Sequence, residues 1–406
     1  MAADAASAML LAPLAARALR GVIGLPTAVW VVVFTVWALT YLAVNRLTGG
    51  HLDWALRIRY RWLRWSAAAS AVVTQADVWH GHDMSALRAA LLAQRRSGGR
   101  LVYDSHEILL ESSAYVSRPR PLRSVLRAIE REWVRRVDAV VTVNDMVASE
   151  LDARYRPERI VVTHNCPPRP QYRGPNRRDY LRRACGVPRG TPLVVYHGGL
   201  AVHRGIEQML EALTEPGMEG VHGVLMGYGP MRDAYATLAS EPRFGGRVHV
   251  LDAVDPSLLV EWLSTADVAV MAIQPSTLNH RLCTPNKLFE ALAAGVPVVG
   301  SDFAGFTRVV RDNPSGPLGI LCDPTDPVAI AAGIRDLLAL APAERVALRA
   351  RCRRAAAELW NWETEEHKLV ALYDELLRLP ARAIGRPPTR RAARRSSPRE
   401  TESLAA

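Results

Sequence analysis

The chain has 406 residues, 49% of them hydrophobic, ordinary for a globular protein and enough for two or three domains with sizeable cores. Cys166, Cys185, Cys283, Cys322 and Cys352 are scattered and odd in number, and no pair has metal-ligand spacing, which excludes a cysteine metal centre and implies a reducing, cytosolic setting. The net charge of +11 is carried by arginine, with Lys287 and Lys368 as the only lysines, and fits an anionic membrane surface, an anionic substrate or nucleic acid.

Taken in order, the chain opens on an unusual segment. Gly21 to Asn45 has no charged residue and is long enough to span a bilayer. Arg46, Arg57, Arg59, Arg61 and Arg64 follow it, interleaved with tryptophan and tyrosine. This flank would keep the rest of the chain in the cytoplasm, and residues 1–70 read as a membrane-associating segment. From Asp77 the pattern alternates. DVWHGHD is a strand ending in a polar turn, Ser85 to Arg96 a helix, and RLVYDSHE a second strand ending in a polar cluster. DAVVTVND and RIVVTHN continue the series, so residues 71–172 predict a parallel α/β domain. A Pro- and Arg-rich linker (173–187) leads to a second series over 188–359. A closing helix (360–379) and a basic, disordered tail (380–406) end the chain.

Polar clusters at strand C-termini are where parallel sheets bind ligands. In the second series PLVVYHGG ends in Gly198 and Gly199 and runs to Arg204-Gly205, which opens a helix. The next strand ends in Gly227-Tyr228-Gly229-Pro230. Thr284 to Val299 reads as a helix entered through Thr284 as N-cap and Pro285 as first residue, and left through Gly295. Asn286, Lys287 and Glu290 are its polar residues. A helix start carrying a lysine suits phosphate, and Glu290, one turn on, suits sugar hydroxyls. No G-x-G-x-x-G opens a helix and no Walker sequence occurs, which argues against a dinucleotide enzyme or an NTPase.

From Asp77 to Tyr373 the ordered set HGGLAVHRG, LMGYGP, STADVAVM, TPNKLFEALAAGVPVVGSD and GILCDPTDP, closed by Trp360–Tyr373, resembles the retaining glycosyltransferases of family GT4. The resemblance implies a GT-B fold, two Rossmann-like domains facing a cleft. It makes a nucleotide-diphosphate sugar the co-substrate, with no other cofactor and no bound metal, in keeping with the lack of a D-x-D. Arg204 and Lys287 would hold the diphosphate, with backbone amides around Gly198 and Gly199 and near Asn286 and Leu288, and Gly227 close by. Glu290 would bind the ribose. His82 of HGHD would position the acceptor, and His106 of DSHE would line the same cleft.

Two departures from the family stand out. An acidic residue that commonly contacts the donor sugar falls at Leu282 here. The family also begins with a strand and a glycine-rich turn before the DVWHGHD-like strand, so the first βα units are expected to be absent. The expected reaction is sugar transfer with retention to an acceptor hydroxyl, in cell-envelope or exopolysaccharide synthesis at the inner face of the membrane. The alternatives are an inactive membrane-associated scaffold and a nucleotide-sugar epimerase. The aromatic-basic stretch lies beside the apolar run, which favours membrane over nucleic acid.

Overall fold

The structure, a computed structural model, describes residues 51–72, 75–170 and 178–379, with isolated residues between 35 and 47. Two compact units divide the chain: Met1–Ala69 with Arg118–Arg120, and Ser70–Ser117 with Pro121 onward. In the first, helix α1 (His51–Val72) carries the arginine-aromatic stretch, and Ser66 Oγ donates to Trp62 O at 2.7 Å. Most of the apolar run 21–45, the expected missing βα units and the 380–406 tail lie outside the described residues. Among the described residues no helix is long and apolar enough to cross a membrane.

The second unit holds two parallel sheets. Strands β1 (Val78–His82), β2 (Arg100–Ser105), β3 (Ala139–Thr142) and β4 (Ile160–Val162) lie in the order β1-β2-β3-β4. Their alternation sends neighbouring residues to opposite faces. Leu101, Tyr103 and Val140 pack with Leu87, Ala90 and Leu91 of helix α2 (Asp83–Ser97) and Leu151 of α3 (Asp145–Tyr155). Val102, Ala139 and Val141 face the other way, and helix α8 (Trp362–Arg378) covers them with Leu372 and Leu376. The closing helix therefore returns to the first sheet.

The second sheet has the order β10-β9-β8-β5-β6-β7, from β5 (Leu193–His197), β6 (His222–Met226), β7 (Val248–Leu251), β8 (Val268–Met271), β9 (Val298–Ser301) and β10 (Gly319–Cys322). Succession runs outward on both sides from β5 and β8, so the order reverses between them, where such sheets open a ligand crevice. Helix α4 (Ile206–Ala212) follows β5, α5 (Leu278–Leu282) and α6 (Asn286–Ala293) follow β8, and α7 (Pro327–Ala339) follows β10. Leu181, from the helix Tyr180–Cys185 within the expected linker, joins this second core.

Helix α6 differs slightly from its sequence reading. It begins at Asn286, with Pro285 in the N-cap place. Thr284 caps nothing. Its hydroxyl accepts from Asn144 Nδ2 of the first domain at 3.1 Å. The far end follows expectation, with Gly295 left-handed at φ 70°.

Candidate functional site: a cleft between the two sheets

The reversal point of the second sheet assembles a cationic cradle. Tyr196, buried at the end of β5, donates to Gly199 O at 2.7 Å. Lys287, in the first turn of α6, donates from Nζ to Tyr196 Oη at 2.7 Å and lies 3.9 Å from that ring's centroid. Burial and then the nearby Arg204 bring the Lys287 ammonium down to about 7. His203 takes φ 64° on the approach to Arg204, which precedes Gly205, the N-cap residue of α4.

The glycines have different tasks. A Cβ on Gly227 would sit 1.9 Å from Gly198 O, so this glycine lets two turns pack backbone to backbone. A Cβ on Gly198 would face Lys287 Nζ at 3.6 Å, whereas one on Gly199 would meet nothing within 4 Å. Gly199 is exposed, and it is the position at which the backbone lies open to a ligand. Asn286 is also exposed. Leu288 is fully buried and its amide already donates to Pro285 O at 2.9 Å, which leaves the first-turn amides of Asn286 and Lys287 for an anion. Glu290 is held through Oε2, 2.9 Å from His197 Nε2. Burial lowers the His197 pKa.

On the first sheet, His82 ends β1 and His106 stands just past β2, with His82 Nδ1 3.0 Å from His106 Nε2. Both meet Asp104, whose carboxyl burial would raise but which hydrogen bonds from His106 and His80 hold well below the usual range. The bond to Asp104 raises the His106 pKa, while burial and then His80 lower that of His82.

Between the sheets lies a cavity of about 390 Å³, lined among others by His106, Glu107, Arg204, Asn279, Thr284 and Asn286. Asn279 bridges it, donating to Glu107 Oε2 at 2.5 Å and accepting from Ile108 N at 3.1 Å. Burial raises the Glu107 carboxyl. Leu282, where the family commonly has an acid, packs with Leu278 against the first domain's core. Arg204, Asn286 and His106 thus share one cavity, and Lys287 stands beside Arg204. The sequence reading missed Tyr196, His197, Asp104, Glu107 and Asn279. Tyr196 and His197 precede the flagged glycines, and Asp104 and Glu107 flank His106. Asn279 carried no motif signal.

Two facing Rossmann-like domains with a ligand crevice at the reversal point define the GT-B class. Comparison with known proteins agrees. Residues 29–166 match the family model described as Glycosyltransferase Family 4, and residues 191–340 that described as Glycosyl transferases group 1. The chain is similar to D-inositol 3-phosphate glycosyltransferases, 26% identical to that of Nocardioides over 76% of this chain and 69% of the relative, and 28% identical to that of Xylanimonas cellulosilytica over 75% and 74%. In structure it resembles the sucrose-phosphate synthase of Thermosynechococcus elongatus, with a TM-score of 0.64, 19% identity and 79% of each chain covered. It also resembles Anabaena Alr3699/HepE in complex with UDP-glucose, with a TM-score of 0.61, 18% identity and coverage of 76% and 82%. The chain belongs to the GT4-like glycosyltransferases and is a transferase enzyme.

Proposed function

We propose that the protein transfers a sugar from a nucleotide-diphosphate sugar to an acceptor hydroxyl, with retention of configuration. The observation that carries this is the cradle at the end of β5, where Lys287, held 2.7 Å from Tyr196 Oη and close to Gly198, stands beside Arg204 and next to the exposed backbone of Gly199. Two cations and the amides at the start of α6 stabilise a leaving diphosphate as its charge develops, without a metal at the diphosphate. Glu290, oriented by His197, takes ribose hydroxyls. Across the cleft, His82 and His106 face the acceptor, whose proton passes to a donor phosphate oxygen. The HepE complex makes UDP-glucose the first donor to try.

Calorimetry with a panel of nucleotide sugars, followed by product analysis, tests the reading. One donor should bind, and K287A should weaken it by roughly 10- to 100-fold, the loss of a charge-assisted hydrogen bond. Equal binding by wild type and K287A would point to the scaffold, and an epimerised donor without transfer to the epimerase.

The same proposal places the enzyme at the inner face of the plasma membrane, working on an envelope glycan or lipid-linked acceptor through contact at Gly21–Asn45. Support comes from the uncharged run and from Val36, Leu39 and Leu42, which are helical and exposed. Flotation with anionic vesicles tests it, and recovery only in the pellet-free bottom fraction would overturn it.

A further inference from the structure

His80 and His82 are two apart on β1 and leave the strand on one face. The residue between them, Gly81, faces helix α2, where a Cβ would come within 2.7 Å of Leu87 Cα. Parallel register sets His82 beside Asp104, and His106 follows two residues later. HGH and DSH thus form two such pairs on adjacent strands. His80 Nε2, His82 Nδ1 and His106 Nε2 lie 3.2, 3.1 and 3.4 Å from Asp104 Oδ2. The ligand atoms of His80, His82 and Asp104 all lie within 4.8 Å of one another.

Protons alone satisfy this cluster poorly. If His82 Nδ1 and His106 Nε2 each donated to Asp104, two N–H groups would face each other across 3.0 Å. Donors bound about 2.0–2.1 Å from a tetrahedral zinc ion stand about 3.3 Å apart, close to the separations of the three imidazole nitrogens from Asp104 Oδ2. The supports of a metal site are also present. Tyr373 Oη lies 2.5 Å from His80 Nδ1 and fixes the ring that turns Nε2 toward Asp104. Asp83, with φ 54°, accepts from the His106 amide at 3.3 Å. The side chains of His82 and His106 are 60% and 43% exposed, so an ion can enter.

We propose that His80, His82, Asp104 and His106 form a binding site for a divalent transition metal ion of the zinc class. Imidazoles with a single carboxylate oxygen favour such an ion over magnesium or calcium. The site goes beyond the transfer reaction proposed above. It lies on the acceptor side of the cleft.

The test uses the full chain, stripped with chelator and titrated with zinc chloride by calorimetry, and with cobalt(II) by visible absorption. One equivalent should bind, with the spectrum of a tetrahedral site. D104N and H106A should each weaken it at least 10- to 100-fold, and Y373F by about tenfold. Circular dichroism and melting check that each variant folds, and H80A is set aside because His80 is largely buried. His222 and His249 form another imidazole pair, 2.9 Å apart, and provide the control. H222A should leave the equivalent unchanged. No zinc bound by the folded wild type, an equivalent surviving in folded D104N/H106A, or one lost in H222A would overturn the proposal.

Discussion

Lys287 is one of two lysines in a chain whose other basic residues are arginines. Its ammonium, brought down to about 7 by burial and Arg204, is therefore largely neutral above that pH in the free enzyme. A bound diphosphate favours the charged form, so donor binding above pH 7 should take up a proton. Calorimetry at pH 8 in buffers of different ionisation enthalpy should register the uptake, and affinity should fall by up to about tenfold per pH unit above 7. K287R keeps its charge and should lose this dependence. Flat affinity from pH 6.5 to 8.5 would count against a charged Lys287 in the complex. Lys287, Arg204 and Glu290 were legible in the sequence because glycines and a helix start surround them. Their partners were not. Nothing local in LVVYH says that Tyr196 will seat the lysine or that His197 will orient the carboxylate. Those roles arise from β5 meeting α6, 91 residues apart for Tyr196 and Lys287.

Elements, not single residues, decide the difference between Gly199 and Gly227. Both looked like ligand-approach glycines in the sequence. In the fold the loop after β6 presses Gly227 onto Gly198 O, while Gly199 looks into open space. G199A should melt like the wild type yet bind donor at least tenfold more weakly. G227A should lose about 1–3 kcal/mol of stability, because the clash is with backbone that cannot move aside. Denaturation and donor titration on the two variants separate these outcomes, and equal stability would refute the distinction. Helix α5 provides a second case. Asn279 joins it to Glu107 and Ile108 N, and Leu282 enters the first domain's core. N279A leaves a buried amide and a carboxyl without their partner and should cost about 1–3 kcal/mol in urea unfolding. This contact explains the leucine at a position the family gives to an acid. The sequence could show the substitution but not the neighbour across the cleft.

For the molecule as a whole, the alternation of strands and helices made the two-sheet architecture readable, since each period-2 run needed two covered faces. The route of the last helix was not readable. Its amphipathic stripe showed that α8 packs on something, and only the fold shows that Leu372 and Leu376 close the first sheet. Truncation before Trp362 should bare Val102, Ala139 and Val141 and yield an aggregating protein, checked by size-exclusion chromatography. A soluble truncated chain of native melting temperature would show the helix to be dispensable. Arg100 donates to Leu376 O across 276 residues of sequence. The first sheet is complete at Val162, so on a ribosome adding roughly 5–20 residues per second it waits about 10–45 s for Leu376. The second domain can complete its own core in that interval, so the half of the enzyme made first is the half finished last. A nascent chain stalled before α8 should therefore present a protease-resistant second domain attached to a first domain still open to chaperones.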